Sequence, residues 1–288
     1  MQKVKLDKKR TLRIIKAALE EDIGPADVTT TNIVGKTESV KAAIIVKESC
    51  IICGVDMAEW LVNTLDCSVR FKPQINDGER ISPGKEIIFL EGHAWAILSA
   101  ERTMLNFLSF LSGIATRTRG FVEKCEKYGV RIYDTRKTLP LLRYLEKYAV
   151  TVGGGKNHRF GLWDQALVKD NHLKITGRAG QKDIVEQLKA KLMKNIKLEI
   201  EVDNLEQFKS VLAQGPDIIM LDNMSPEEVK QAVKLRNKAK SGKQTLLEVS
   251  GGIIIDSVEL YARTGVDRIS VGSLTDSVES VDMSLEIM

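Results

Sequence analysis

Leu198-Glu199-Ile200-Glu201-Val202 is a β-like run, followed by a helical segment with Phe208, Val211 and Leu212, and then by a second run, Ile218-Ile219-Met220-Leu221. A strand, a helix and a strand in close succession make the βα unit of a parallel sheet. The alternation extends in both directions from this stretch. Strands are expected near Arg131–Asp134, Ala149–Val152, Ala166–Lys169, Leu198–Val202, Ile218–Leu221, Leu246–Val249 and Arg268–Val271, with amphipathic helices in the later connections such as Ile184-Val185-Leu188-Leu192. Seven strands in about 140 residues imply an α/β fold, an incomplete barrel, because full eight-fold barrels typically need ~200 residues or more.

Before residue 130 the texture differs. Leu12, Ile15, Ala18 and Leu19 have helical spacing until Asp22-Ile23-Gly24-Pro25 breaks it. Short β-like runs (Ala43 to Val46, Val69 to Phe71, Glu86 to Leu90) then alternate with the turn clusters Asn76-Asp77-Gly78 and Ser82-Pro83-Gly84, which reads as a small α+β domain. Residues 97–127 form a long helical stretch. Its middle, Met104 to Leu111, is apolar on nearly every face, which predicts burial all round and a place between domains or in an interface.

The 43 Lys and Arg against 39 Asp and Glu leave a net charge of +4, too little for nonspecific binding of nucleic acid or membranes. No apolar run reaches the ~18–20 residues of a membrane-spanning helix, and Met1 to Arg10 lacks the apolar core of a secretory signal. With four cysteines, too few for a disulfide framework, a soluble cytoplasmic protein is expected. Cys50 and Cys53 sit in a strand-like run that turns them to opposite faces, so buried thiols are expected there rather than zinc or redox chemistry.

Ligands of parallel βα barrels bind at the carboxyl ends of the strands. Here those ends read Asp134-Thr135-Arg136-Lys137, Gly153-Gly154-Gly155-Lys156-Asn157-His158-Arg159, Lys169-Asp170-Asn171-His172, Glu201 with Asp203, Asp222-Asn223, Ser250-Gly251-Gly252 and Gly272-Ser273. Several cations, several carboxylates and two small-residue turns suit a ligand with several anionic groups, together with hydroxyls or a divalent metal. Any one of Arg136, Lys137, Arg159 or Lys169 alone reads as a solvated surface charge; their recurrence at successive strand ends argues otherwise. Asp203, three residues before Glu206, reads as a helix cap, and Ser225-Pro226 opens the next helix, leaving Glu201 and Asp222 as the site candidates. Ser250-Gly251-Gly252 could be a mere turn, but its glycines would also let a phosphate approach the backbone. Arg102 lies in the apolar helix, where it must meet a protein carboxylate such as Glu101 or an anionic ligand. His93 reads as structural and His172 as a loop residue. The chain has no G-x-x-x-x-G-K-[ST] or G-x-G-x-x-G pattern, which removes the usual warrant for nucleoside triphosphates and nicotinamide cofactors.

Glu21-Asp22-Ile23-Gly24 with Asp27-Val28-Thr29-Thr30, Ala100-Glu101-Arg102-Thr103 through Leu111-Ser112-Gly113-Ile114-Ala115-Thr116, and Asp134 through Pro140 carry a family resemblance over nearly the whole chain. With Gly153 to Arg159, Lys169 to His172, Glu201-Val202-Asp203, Leu221-Asp222-Asn223, Ser250-Gly251-Gly252 and Val271-Gly272, the chain resembles the quinolinate phosphoribosyltransferases, or nicotinate-nucleotide pyrophosphorylases (carboxylating), type II phosphoribosyltransferases of NAD biosynthesis. The resemblance implies an N-terminal α+β sandwich-like domain over residues 1–114, joined by the C-terminal segment 275–288, and a barrel over 115–274. It implies transfer of phosphoribosyl from phosphoribosyl pyrophosphate to quinolinate, with decarboxylation to nicotinate mononucleotide. Arg102, Arg136, His158 and Arg159 would hold the quinolinate carboxylates; Lys137 and Lys169 would neutralise carboxylate and phosphate charge. Glu201 and Asp222 would face the ribose hydroxyls and Mg2+, directly or through water, and with Lys137 and Lys169 form the catalytic set. Ser250, Gly251, Gly252, Gly272 and Ser273 would hold the 5′-phosphate, with Asp276 standing where many relatives have a basic residue. No organic cofactor is implied. A homodimer with shared sites, or a higher oligomer, would supply Arg102 from the partner. The alternatives are a related enzyme for another heterocycle (nicotinate, or the molybdenum-transport-associated paralogue), a noncatalytic metabolite-binding protein, and a Schiff-base lyase using Lys137 or Lys169.

Overall fold

The computed structural model describes residues 5–175, 184–239 and 245–288. Its strands in chain order are β1 (Ser39–Val46), β2 (Cys50–Ile51), β3 (Arg70–Pro73), β4 (Arg80–Ile81), β5 (Glu86–His93), β6 (Arg131–Tyr133), β7 (Ala166–Val168), β8 (Leu198–Val202), β9 (Ile218–Asp222), β10 (Leu246–Ser250), β11 (Arg268–Ser270) and β12 (Met283–Ile287). Two compact units divide the chain: Met1–Arg119 with Tyr144–Gly154 and Ser277–Met288, and Gly120–Arg143 with Gly155–Asp276.

The first unit contains a four-stranded antiparallel sheet in the order β12-β1-β5-β3. The C-terminal strand reaches it by pairing Ala42 to Val46 with Ile287 to Met283. The helix Lys8–Ile23 is capped by Asp7, whose carboxylate accepts from Arg10 N–H at 2.7 Å, and it buries Ile15 and Leu19. Asp77 accepts from the N–H groups of Gly54 and Val55, opening the helix Val55–Leu65, and from the Tyr148 hydroxyl at 2.7 Å. Cys50 and Cys53 are buried free thiols; burial pushes Cys50 up to about 11 and Cys53 further.

Two expectations are corrected here. The helix Ala94–Cys125 buries Met104, Leu108 and Leu111, but Arg102 and Asn106, one turn apart, are exposed, so this protomer does not bury it all round. Ala149–Val152 is the end of the helix Arg143–Val152, not a strand. Its valines and threonine favour β structure locally, yet the continuous burial of Leu145 to Val150 selects the helix.

The second unit is a parallel sheet of six strands, not seven, in the order β6-β11-β10-β9-β8-β7. Beside β6 the expected extra strand is reduced to a single bridge, Tyr133 to Lys156, with Lys156 N–H donating to Ile132 O at 2.8 Å. This incomplete barrel has inward-facing residues at every second position of each strand. Ser225 and Glu228 form the expected capping box after β9. After β8, however, Asn204 and not Asp203 caps the helix Leu205–Leu212, because its side chain accepts from Glu206 and Gln207 N–H. Among the described residues no helix is long and apolar enough to cross a membrane.

Candidate active site

Period two places the barrel's polar residues in layers. Lys169 just past β7, Glu201 on β8, Asp222 on β9, Ser250 on β10 and Ser270 on β11 line the upper layer of a cavity of about 600 Å³ in the second unit. Thr135, Arg136 and Lys137, from the segment after β6, also line it, as do His158, Arg159, Gly251, Gly252 and Gly272. Sequence-predicted residues from every strand end thus converge on one cavity. Ser273 and Arg102 do not line it; Ser273 begins the short helix Ser273–Asp276, and Arg102 is exposed on its own helix in the first unit.

One side of the cavity is crowded with positive charge. Burial, and then the nearby Arg136 guanidinium, lower the Arg159 pKa. Arg136 Nε is buried without a protein hydrogen-bond partner, and Arg159 spends one N–H on the Gln165 carbonyl at 3.3 Å. Two guanidiniums that repel each other in a partly desolvated cavity form an anion site. Arg143, which the sequence reading did not single out, ties the supporting loops together. It donates to Thr138 Oγ1 at 2.9 Å and to Phe160 O at 3.1 Å.

Across the cavity lie the carboxylates. Lys169 Nζ donates to Glu201 Oε2 at 2.6 Å. Burial, and then the charge of Glu201, raise the Asp222 pKa, with Lys169 opposing. Negative charge is therefore in excess around Asp222, and these hard oxygen donors fit a divalent cation such as magnesium. Asn223 adopts φ 53° and donates from its side chain to Asp222 Oδ2 at 2.7 Å, while its backbone N–H donates to Ser250 O at 2.9 Å. Asn223 thereby packs against Gly251, where φ is 95° and a Cβ would fall 2.2 Å from Asn223 Oδ1. Lys137 crosses Gly272, whose Cβ would meet Lys137 Cδ at 3.0 Å and Asp276 Oδ2 at 3.2 Å. Exposed backbone at Gly251, Gly252 and Gly272 suits a phosphate.

One layer down, the strands carry further charges that the sequence reading passed over. Glu199, Glu248 and Arg268 each lie two residues before Glu201, Ser250 and Ser270, and all are buried. Arg268 Nε donates to Glu248 Oε2, and its guanidinium stacks 4.4 Å over the Tyr133 ring. Gln165 donates to Glu199 Oε2. His158 Nε2 lies 2.9 Å from Glu199 Oε2 and 3.3 Å from Glu248 Oε1. Among the described residues, His158, Glu199 and Glu248 are the group of donors with metal-like spacing, but Arg268 already supplies a cation there. Asp134, buried at the end of β6, accepts the His158 backbone N–H at 2.8 Å. Both His158 ring nitrogens face protein groups, since Nδ1 accepts from Arg159 N–H at 2.8 Å.

Residues 27–112 match the quinolinate phosphoribosyl transferase N-terminal domain and residues 114–286 the C-terminal domain of the same family. The chain is 44% identical over 281 residues to a probable nicotinate-nucleotide pyrophosphorylase (carboxylating) of Methanocaldococcus jannaschii, covering 96% of this chain and 97% of that one. It is 39% identical to the nicotinate-nucleotide pyrophosphorylase (carboxylating) of Mycobacterium leprae, covering 95% of each. The solved nicotinate-nucleotide pyrophosphorylase of Francisella tularensis superposes with a TM-score of 0.92 at 37% identity, over 100% of this chain and 99% of the other. With matches of this extent to both domains, the chain belongs to the quinolinate phosphoribosyltransferase family.

Proposed function

We propose that the protein transfers phosphoribosyl from phosphoribosyl pyrophosphate to the ring nitrogen of quinolinate, with loss of CO2, giving nicotinate mononucleotide and pyrophosphate. The observation that carries this reading is the pairing of Arg136 with Arg159. Their mutual repulsion is relieved by a dianion, and a vicinal dicarboxylate presents two acceptors to two forks. A monocarboxylate such as nicotinate would leave one guanidinium unpaired, which favours quinolinate over the other heterocycles.

Lys137, lying across Gly272, is set to share phosphate charge with the Ser250-Gly251-Gly252 turn. The C1–O bond of the ribose breaks with its electron pair leaving on pyrophosphate, and Glu201 and Asp222 stabilise the positive charge that develops on the sugar. The ring nitrogen lone pair then forms the new N–C1 bond. Alkylated nitrogen is a pyridinium, so the C2–carboxylate bond can break, CO2 departing and the electron pair staying beside positive charge until a proton replaces it. Lys169, held by Glu201, stabilises charge and forms no Schiff base. Glu201 and Asp222 would hold magnesium, which neutralises the leaving pyrophosphate. Arg102 would complete the quinolinate subsite from the partner of a homodimer, which accounts for its exposure in this protomer.

The test is formation of CO2 and nicotinate mononucleotide from the two substrates, with and without magnesium. Dependence on both substrates is expected; product formed without phosphoribosyl pyrophosphate would refute the mechanism. Pyrophosphate release from nicotinate as fast as from quinolinate would favour the other heterocycle.

A further inference from the structure

The buried layer beneath the cavity has no partner among the groups that the reaction requires, yet it grips a residue that lines the cavity. The geometry points to His158 as a positioning residue: Glu199 and Glu248 hold its ring from below, and its Nδ1 anchors the backbone of Arg159, aiming that guanidinium at the dicarboxylate. This inference rests on the proposed quinolinate subsite, and it changes the role of His158 from a carboxylate ligand to a strut.

Three observations support it. First, the contacts at the two ring nitrogens are complementary. A nitrogen that accepts the Arg159 N–H at 2.8 Å carries no proton, so the ring proton sits on Nε2, facing Glu199 at 2.9 Å and Glu248 at 3.3 Å. Both nitrogens are thereby committed to protein groups. Second, the ring's backbone is fixed independently, because the His158 N–H donates to buried Asp134 at 2.8 Å. Third, the charges close without an imidazolium. Arg268 pairs with Glu248, whose pKa is lowered despite its burial. Burial and the charge of Glu248 raise that of Glu199, which is the group to hold an extra proton. The carboxylates by themselves favour a charged ring and lift His158 to about 9, against the opposing effect of burial. A second ring proton would have to displace the Arg159 N–H from Nδ1, however, and the hydrogen-bond geometry decides for the neutral ring.

The chain has three histidines, His93, His158 and His172, so 15N-histidine labelling gives three ring signatures, and His158 is assigned by its loss in His158→Asn. At pH 7 the expected His158 pattern is an unprotonated Nδ1 with a protonated Nε2, unchanged when saturating quinolinate is added. A doubly protonated ring, or a ring signal that moves as if it gained a direct bond to quinolinate, would overturn the inference. In kinetics, His158→Asn, whose side-chain oxygen can take the place of Nδ1, should keep KM for quinolinate within about threefold. His158→Gln, which extends toward the glutamates without an acceptor at that position, should raise it about tenfold or more while KM for phosphoribosyl pyrophosphate stays level. Equal loss in both variants, with both folded by circular dichroism, would mark a direct ligand. The ring signature is read in the wild-type protein before any substrate is added. A failure of wild-type quinolinate turnover would therefore count against the proposed reaction and not against the tautomer.

Discussion

Lys169 Nζ donates to Glu201 Oε2 across 2.6 Å, joining the segment after β7 to the end of β8 so that each group neutralises the other. Glu201 is nearly buried, so removing the lysine leaves an uncompensated carboxylate beside Asp222. Lys169→Met and Glu201→Gln should each lower kcat/KM by about 100-fold or more, and the double variant should fall little further, since the two act as one unit. Steady-state kinetics of the three variants decide this. Fully multiplicative losses would mean the groups act separately.

The Arg136–Arg159 pair makes a specificity prediction. Replacing either with Gln removes one fork, and the preference for quinolinate over nicotinate in kcat/KM should fall by about 10- to 100-fold. The proper readout is the ratio between substrates, because a nonspecific folding defect would lower both together. Arg159→Lys should not restore the preference fully, since an ammonium lacks the planar fork.

Much of this was legible in the sequence because strand ends, turn residues and capping patterns are local. Six of the expected strands are present, since their apolar runs are flanked by Gly, Asn or Asp and alternate with helical patterns. Ala149–Val152 was misleading because the deciding fact, the burial of Leu145 to Val150 in the first unit, is tertiary. The Asp203 cap failed for a smaller reason: Asn204, one position on, offers the same chemistry with the geometry the helix uses. The lower charged layer had a signal that could have found it. Counting back two residues from Glu201 and Ser250 gives Glu199 and Glu248, but alternate acidic residues in a strand ordinarily read as a solvated face, and a closed barrel is needed to turn that face inward.

Asp222 should carry a stability cost. Its pKa is raised by burial and by Glu201, so the folded state disfavours the ionised form relative to the unfolded chain. The cost is present above the folded pKa and fades as pH falls toward the ordinary carboxylate value of about 4, where the group is protonated in both states. Asp222→Asn should therefore raise Tm at pH 7 by about 1–3 °C, with the gain shrinking on acidification, while activity is lost. Magnesium with pyrophosphate should raise the Tm of the wild type more than that of the variant. A variant that melts lower at pH 7 would contradict the sign.

Gly251 and Gly252 both have positive φ, but only one is sterically closed. A Cβ at Gly251 would lie 2.2 Å from Asn223 Oδ1 and 2.9 Å from its backbone nitrogen, whereas none of the surrounding atoms lies within 4 Å at Gly252. Gly252→Ala should cost only left-handed backbone strain, about 1–2 kcal/mol. Gly251→Ala should cost more and displace Asn223 from Asp222, so that activity falls further than stability. Chemical denaturation and kcat/KM measured together check the pair, and equal effects would mean that the Asn223 contact is unimportant.

The homodimer proposal can be tested without a structure of the assembly. Arg102 and Asn106 leave an exposed turn on a helix whose remaining face is buried, and Arg102 does not line the cavity of the second unit. If Arg102 of the partner subunit completes each site, Arg102→Ala and Lys137→Ala variants are each inactive for different reasons. In a mixed dimer of the two, one site carries both defects and the other carries neither. Random reassortment makes half of the dimers mixed, so mixing equal amounts should restore about a quarter of wild-type activity. A site built within one protomer gives no such recovery, because every site then keeps one defect. An activity equal to the sum of the separate variants, after exchange of subunits has been verified with tagged chains, would exclude the shared arrangement.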